Sequence, residues 1–148
     1  MKFIGFLITA VLIAGCASVV LQPADFSWPV ENALKIDSKG FVTEKRYSIT
    51  LNVKPLFYEE FADSNSYDGK EIRMIRDKSG MYYITGTGFK NVYLFMPVQG
   101  GLKMEDKLAV SDSTALQSPA FNQKTSDIEL VDGSNKYILN NNGIVRLK

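Results

Sequence analysis

Hydrophobic and polar positions alternate along most of this chain with a period of two. The clearest run is Tyr47 to Lys54. Tyr47, Ile49, Leu51 and Val53 fall on one side, and Ser48, Thr50, Asn52 and Lys54 on the other. That pattern predicts a strand with one buried and one wet face. Glu71 to Arg76 and Met81 to Thr85 flank the turn Asp77-Lys78-Ser79-Gly80 and are expected to pair antiparallel. Asn91 to Val98 is nearly continuous in apolar residues, which suits a central strand covered on both faces. Ile128 to Val131, Lys136 to Leu139 and Ile144 to Leu147 read as a terminal meander. Its turns are Asp132-Gly133-Ser134-Asn135 and Asn140-Asn141-Asn142-Gly143. With Asp37-Ser38-Lys39-Gly40, these segments accept positive φ or cap a turn, as antiparallel hairpins require.

Helical period is scarce. Pro55 to Ala62 predicts two turns, with Pro where its missing N–H costs nothing. Residues 106 to 126 show no sustained period and are expected to form an irregular loop. Gly86-Thr87-Gly88 follows a predicted strand with no helix behind it, so it reads as a bend between strands rather than a phosphate cradle. The expected fold is therefore all-β: a single antiparallel sandwich or small open barrel with at most one short helix. Trp28 to Asp37 echoes Met96 to Glu105, sharing Pro, Val, Leu and Lys. Ten residues are too few for a repeat protein. Two edge strands entered through the same Pro-Val step explain the match as well.

The first sixteen residues follow different rules. Lys2 precedes an apolar stretch from Phe3 to Ala14, and the run Ile13-Ala14-Gly15-Cys16 ends on the only cysteine of the chain. About a dozen apolar residues fall short of the roughly 20 needed to cross a bilayer. A basic start, a short apolar middle and small residues before a cut site mark a secretory signal. The segment resembles the signal peptide and lipobox of bacterial lipoproteins. The resemblance implies cleavage between Gly15 and Cys16, and attachment of diacylglyceryl and palmitate-type chains to the Cys16 sulfur. Two or more chains make a stable anchor, where one holds only reversibly. Ala17 rather than Asp follows the cysteine. In a Gram-negative cell, that choice implies the outer membrane.

The expected organisation is a signal peptide over 1–15, a lipidated tether over 16–25 and one mainly-β domain over 26–148. With no second cysteine, an intrachain disulfide is excluded. The domain of about 130 residues is long enough to hold together by its core alone. Lys and Arg number 17 and Asp and Glu 16. Without a basic excess, no nucleic-acid partner is expected.

Chemistry is constrained mainly by what is missing. The chain has no histidine, so histidine-based catalysis and His-ligated metals are excluded. Lipidation of Cys16 would remove the only thiol. No catalytic residue, metal site or cofactor is assigned. Glu59, Glu60, Asp63 and Asp68 form the densest acidic cluster, and they would carry a carboxylate-dependent hydrolase if one existed. Asp63 to Glu71 departs from the calcium-loop pattern: Tyr67 stands at the fifth place, Gly69 comes one place late and Met74 holds the twelfth. A polar turn is expected there.

The chain carries 7 Tyr, 9 Phe and 1 Trp. Trp28, Tyr82 and Tyr83 are the candidate partner-binding residues, since adjacent tyrosines on a strand point to opposite faces. The expected function is a non-catalytic binding or structural lipoprotein of the cell envelope, an accessory subunit held to the bilayer through Cys16. A carrier of small apolar ligands is the alternative, and the hydrolase a more remote one.

Overall fold

The computed structural model describes residues 30–147 except 112, 141 and 142. Cys16, Gly15 and Trp28 lie outside the described residues. Among the described residues, eleven strands and one helix run in the order β1 (Asn32–Lys35), β2 (Phe41–Glu44), β3 (Ile49–Asn52), α1 (Lys54–Phe61), β4 (Glu71–Arg76), β5 (Tyr82–Gly86), β6 (Asn91–Val98), β7 (Gly101–Ala109), β8 (Pro119–Lys124), β9 (Asp127–Asp132), β10 (Asn135–Asn140) and β11 (Gly143–Leu147). All recorded pairings are antiparallel. They build a five-stranded sheet in the order β1-β4-β5-β6-β7, a four-stranded sheet β11-β10-β9-β8 and a ribbon β2-β3. The sheets do not close into a barrel.

The five-stranded sheet is the middle layer, because alternate residues of its strands feed two separate cores. Ile72, Met74, Tyr82, Ile84 and Tyr93 point to one side, where Leu34, Val42, Val53, Leu56, Phe57 and Phe89 join them beneath the ribbon and α1. Ile75, Tyr83, Val92 and Leu94 point to the other, against Phe121, Ile128, Leu130, Tyr137 and Leu139 of the four-stranded sheet. A sheet covered on both faces must be apolar on both. This is why Val92 to Leu94 is apolar throughout while β3 alternates; the cover on both faces expected over Asn91 to Val98 stops there, and Met96, Pro97 and Val98 are exposed.

Two turns use the same device. Asp37 Oδ1 accepts the backbone N–H groups of Lys39 and Phe41 at 2.8 and 2.9 Å. Asp77 Oδ1 accepts Ser79 Oγ and the Met81 N–H at 2.7 and 2.9 Å. Each turn ends on a glycine at positive φ, Gly40 at 84° and Gly80 at 96°, a conformation that other residues adopt only at a cost. At Gly40 a Cβ would also meet Lys54 Cε at 2.7 Å.

Several expectations need correction. The strand predicted over Tyr47 to Lys54 is shorter. Ser48 takes φ 53°, which breaks the extended path before Ile49, and α1 begins at Lys54. From Ile49 the alternation holds, with Ile49 and Leu51 half-buried, Val53 buried, and Thr50 and Asn52 exposed; Tyr47, expected on the buried face, is exposed. The helix forms where Pro55 predicted it, and ends at Ala62 with φ 56° and its N–H bonded to Tyr58 O at 2.8 Å.

The loop expected over 106–126 contains the end of β7 and all of β8. Strand β7 is an edge strand whose side chains are mostly exposed, so burial imposes no period on it. Glu31 Oε1 accepts the Phe121 N–H of β8 at 2.6 Å. The link between β7 and β8 is pinned by Leu116, whose N–H donates to Phe89 O and whose O accepts the Gly88 N–H, at 2.8 and 2.7 Å. The two segments that echo one another enter β1 and β7, the two edges of the same sheet, and Leu34 and Leu102 both pack on the core beneath the ribbon.

Candidate binding surface

The acidic cluster dissolves into separate structural roles. Glu60 sits on α1 and accepts four hydrogen bonds: from the Lys90 N–H at 2.9 Å, the Asn91 N–H at 3.2 Å, Asn91 Nδ2 at 2.8 Å and the Tyr93 hydroxyl at 2.9 Å. It clamps the β5–β6 turn to the helix. Glu59 pairs with Lys107 of β7 at 2.6 Å. Asp63 caps its own turn through the Asn65 N–H at 2.9 Å. Asp68 is exposed in the loop before β4. Among the described residues, no group of three His, Cys, Asp or Glu is placed to hold a metal ion.

Glu44 is the most deeply buried carboxylate among the described residues, 1% exposed. Burial alone would raise its pKa. The hydrogen bonds from Arg46 and Asn32, together with the Arg46 charge, outweigh burial and hold it below the ordinary 4.5. Arg46 donates through Nε at 3.1 Å and through its backbone N–H at 2.8 Å, and Asn32 Nδ2 also donates. A depressed folded-state pKa stabilises the fold above the unfolded-state value, and that contribution is lost as pH falls through the folded-state value. Glu44→Gln is therefore expected to cost about 1–2 kcal/mol at pH 7. It should also flatten the acid loss of stability below about pH 4.5. Urea unfolding across that range checks both effects.

Tyr82 and Tyr83 do point to opposite faces, but both are only 2% exposed and each fills one core. Neither ring is therefore open to a partner, because the middle sheet is covered on both sides. Burial, with the Asp77 charge and hydrogen bond beside it, pushes the Tyr83 hydroxyl up to about 12. Tyr82 meets Tyr47 edge-on at 5.9 Å. The Arg76 guanidinium lies 5.1 Å from the Tyr47 ring and 5.5 Å from that of Tyr82. The partly exposed aromatic ring at this position is thus Tyr47.

The surface opens into an apolar groove of ≈ 250 Å³ where the β3–α1 junction leaves the sheet. Leu51, Val53, Pro55 and Leu56 line one wall, and Ile84, Phe95 and Leu102 the other. Beside it runs the β6–β7 hairpin, where Met104 shares the face of Phe95 and Leu102, Met96 and Val98 point to the opposite face, and all three are about half exposed. Sequence reasoning missed these residues. Gly100-Gly101 between apolar flanks marks a hairpin. That the hairpin outruns β5 follows only from register, since β5 pairs with β6 no further than Tyr82 opposite Phe95. A polar cleft of ≈ 260 Å³ lies between the β4–β5 turn and β9, with Asp77, Ser79, Tyr83 and Asp127 on its walls.

No family model, no curated protein and no solved structure matches the chain. Among the described residues, no helix is long and apolar enough to cross a membrane.

Proposed function

We propose that this protein is a lipid-anchored component of the bacterial cell envelope whose β domain binds or supports a partner and catalyses nothing. The run Ile13-Ala14-Gly15-Cys16 behind a short apolar leader carries the anchoring. The signal peptide is residues 1–15, Cys16 bears the acyl chains, and the outer membrane is the destination in a Gram-negative cell. The domain then acts as an accessory subunit of an envelope complex. The apolar groove supports this: it is lined by side chains that fill pockets rather than perform proton transfer, while Glu44, Glu59 and Glu60 are engaged in structural pairs.

The test has two arms. In native membranes Cys16→Ser should move the protein from the membrane fraction to the soluble fraction, with loss of the acyl mass from its N-terminal peptide. A Cys16→Ser protein that stays in the membrane refutes the anchor. In detergent extracts a stoichiometric partner should co-purify with the natural chain and be lost from a folded Leu102→Lys variant, since Leu102 stands at the groove wall. A chain that remains monomeric in both refutes the subunit reading.

The same groove favours one second reading, a carrier of small apolar ligands. Its volume lies just under the ~300 Å³ at which ligand pockets usually begin, so it would take a short chain rather than a whole lipid. Saturable uptake of a fluorescent short-chain fatty acid, abolished by filling the groove with Leu51→Trp, would establish it. Absence of uptake removes it.

A further inference from the structure

Register places the apolar tip of the β6–β7 hairpin at the same end of the molecule as the entering chain. Arg76, Tyr82, Phe95 and Met104 form one row across β4, β5, β6 and β7. Asn32 pairs with Met74, so counting back two positions sets Val30 level with Arg76. Beyond this row β4 and β5 turn back through Asp77–Gly80. Strands β6 and β7 run on as a two-stranded arm, with Pro97 opposite Leu102 and Val98 opposite Gly101. Three further residues at about 3.3 Å each carry the arm roughly 10 Å past the row.

Exposed apolar side chains gather here. Eight large hydrophobic residues among those described are exposed, and five stand at this end: Val30, Tyr47, Met96, Val98 and Met104. Charge does not single the end out, since Lys103 is paired with Glu105 at 2.9 Å and Asp77 lies in the neighbouring turn.

We propose that the tip of this hairpin rests on the lipid bilayer, with Val98 and Met96 among the headgroups and Met104 behind them, nearer the domain. The inference rests on the anchoring reading above. Cys16 and Val30 are 14 positions apart, which limits their separation to about 50 Å even at full extension. A short tether raises the effective concentration of the domain at the membrane to the millimolar range. An apolar contact too weak to bind alone then suffices to orient the domain. Methionine suits the site because its flexible side chain adapts to a fluid surface. The turn at Gln99 and Gly100 leads the arm, and its open backbone groups need hydrated headgroups, so the contact is shallow. The docking turns the Val30 end of the five-stranded sheet toward lipid and leaves the α1–β4 loop facing away.

The test uses the full acylated protein in vesicles of phosphatidylethanolamine and phosphatidylglycerol. With Cys16 acylated, a polarity-sensitive dye attaches only to an introduced thiol, at Val98→Cys or, at the far end, Asp68→Cys. Both sites are exposed and neither side chain supports the core. Dye at Val98→Cys is expected to brighten several-fold on reconstitution and to be quenched by spin-labelled lipid. Dye at Asp68→Cys should do neither, and Met96→Glu should reverse the effect at Val98→Cys. If both sites stay in water while the Cys16 peptide carries its acyl mass, the hairpin contact is wrong and the anchor stands. Brightening at Val98→Cys without quenching by lipid would mean that a protein partner or second copy covers the tip, which also overturns it. An unacylated Cys16 removes the anchor and the contact together.

Discussion

Phe57→Ala is expected to destabilise the domain by about 4 kcal/mol, the cost of truncating a fully buried phenylalanine. The Phe57 ring is 0% exposed and stands at the centre of an aromatic cluster. It stacks on Phe61 at 5.8 Å and meets Phe89 and Tyr67 edge-on at 5.2 and 6.2 Å. The Lys70 ammonium lies 5.5 Å from its centroid. These partners come from α1, from the loop before β4 and from the β5–β6 turn, so the cavity cannot collapse by moving one element. Domains of this size have about 5–15 kcal/mol in total. The variant should therefore melt on the order of 15 °C lower, followed by circular dichroism. A shift of only a few degrees would mean that α1 is not integral to the core.

Glu60→Ala is expected to cost about 3 kcal/mol, although Glu60 is not fully buried. The carboxylate holds four donors, and one of them, the Tyr93 hydroxyl, belongs to a side chain with no exposed surface. Removing the acceptor leaves that hydroxyl buried without its partner, while Lys90 and Asn91 can turn to water. Burial and Glu60 together push the Tyr93 hydroxyl pKa strongly upward, so the phenol stays a donor throughout the ordinary pH range. Tyr93→Phe alone should cost less. Combined with Glu60→Ala it should add less than the sum by roughly 1 kcal/mol, because the orphaned hydroxyl is then gone. Strict additivity in urea unfolding would rule out the clamp. The same pair argues against a hydrolytic role for Glu60, whose oxygens are occupied by the fold.

The sequence carried much of the architecture because local rules dominate antiparallel proteins. Asp37-Ser38-Lys39-Gly40 and Asp77-Lys78-Ser79-Gly80 contain their own acceptor and their own positive-φ residue, so each turn is specified without tertiary help. The pairing of β4 with β5 and the meander of β9, β10 and β11 follow from such turns. So does α1, where Pro55 sets the start. Edge strands left weaker traces. Strand β7 faces solvent along most of its length and β8 is anchored by a carboxylate 90 positions earlier in the chain, at Glu31. Neither condition writes a period into the local sequence.

By itself, the sequence determined an all-β antiparallel domain with a single short helix, its main turns, and the exclusion of histidine chemistry. Each of these depends on residue type and short spacing alone. Only the tertiary structure decided that the five-stranded sheet is covered on both faces, burying Tyr82 and Tyr83. It also set the acidic residues as clamps and carried the β6–β7 arm past its neighbours beside Val30. Burial and register depend on which distant strands meet, and the alternation of one strand says nothing about what lies across its outer face.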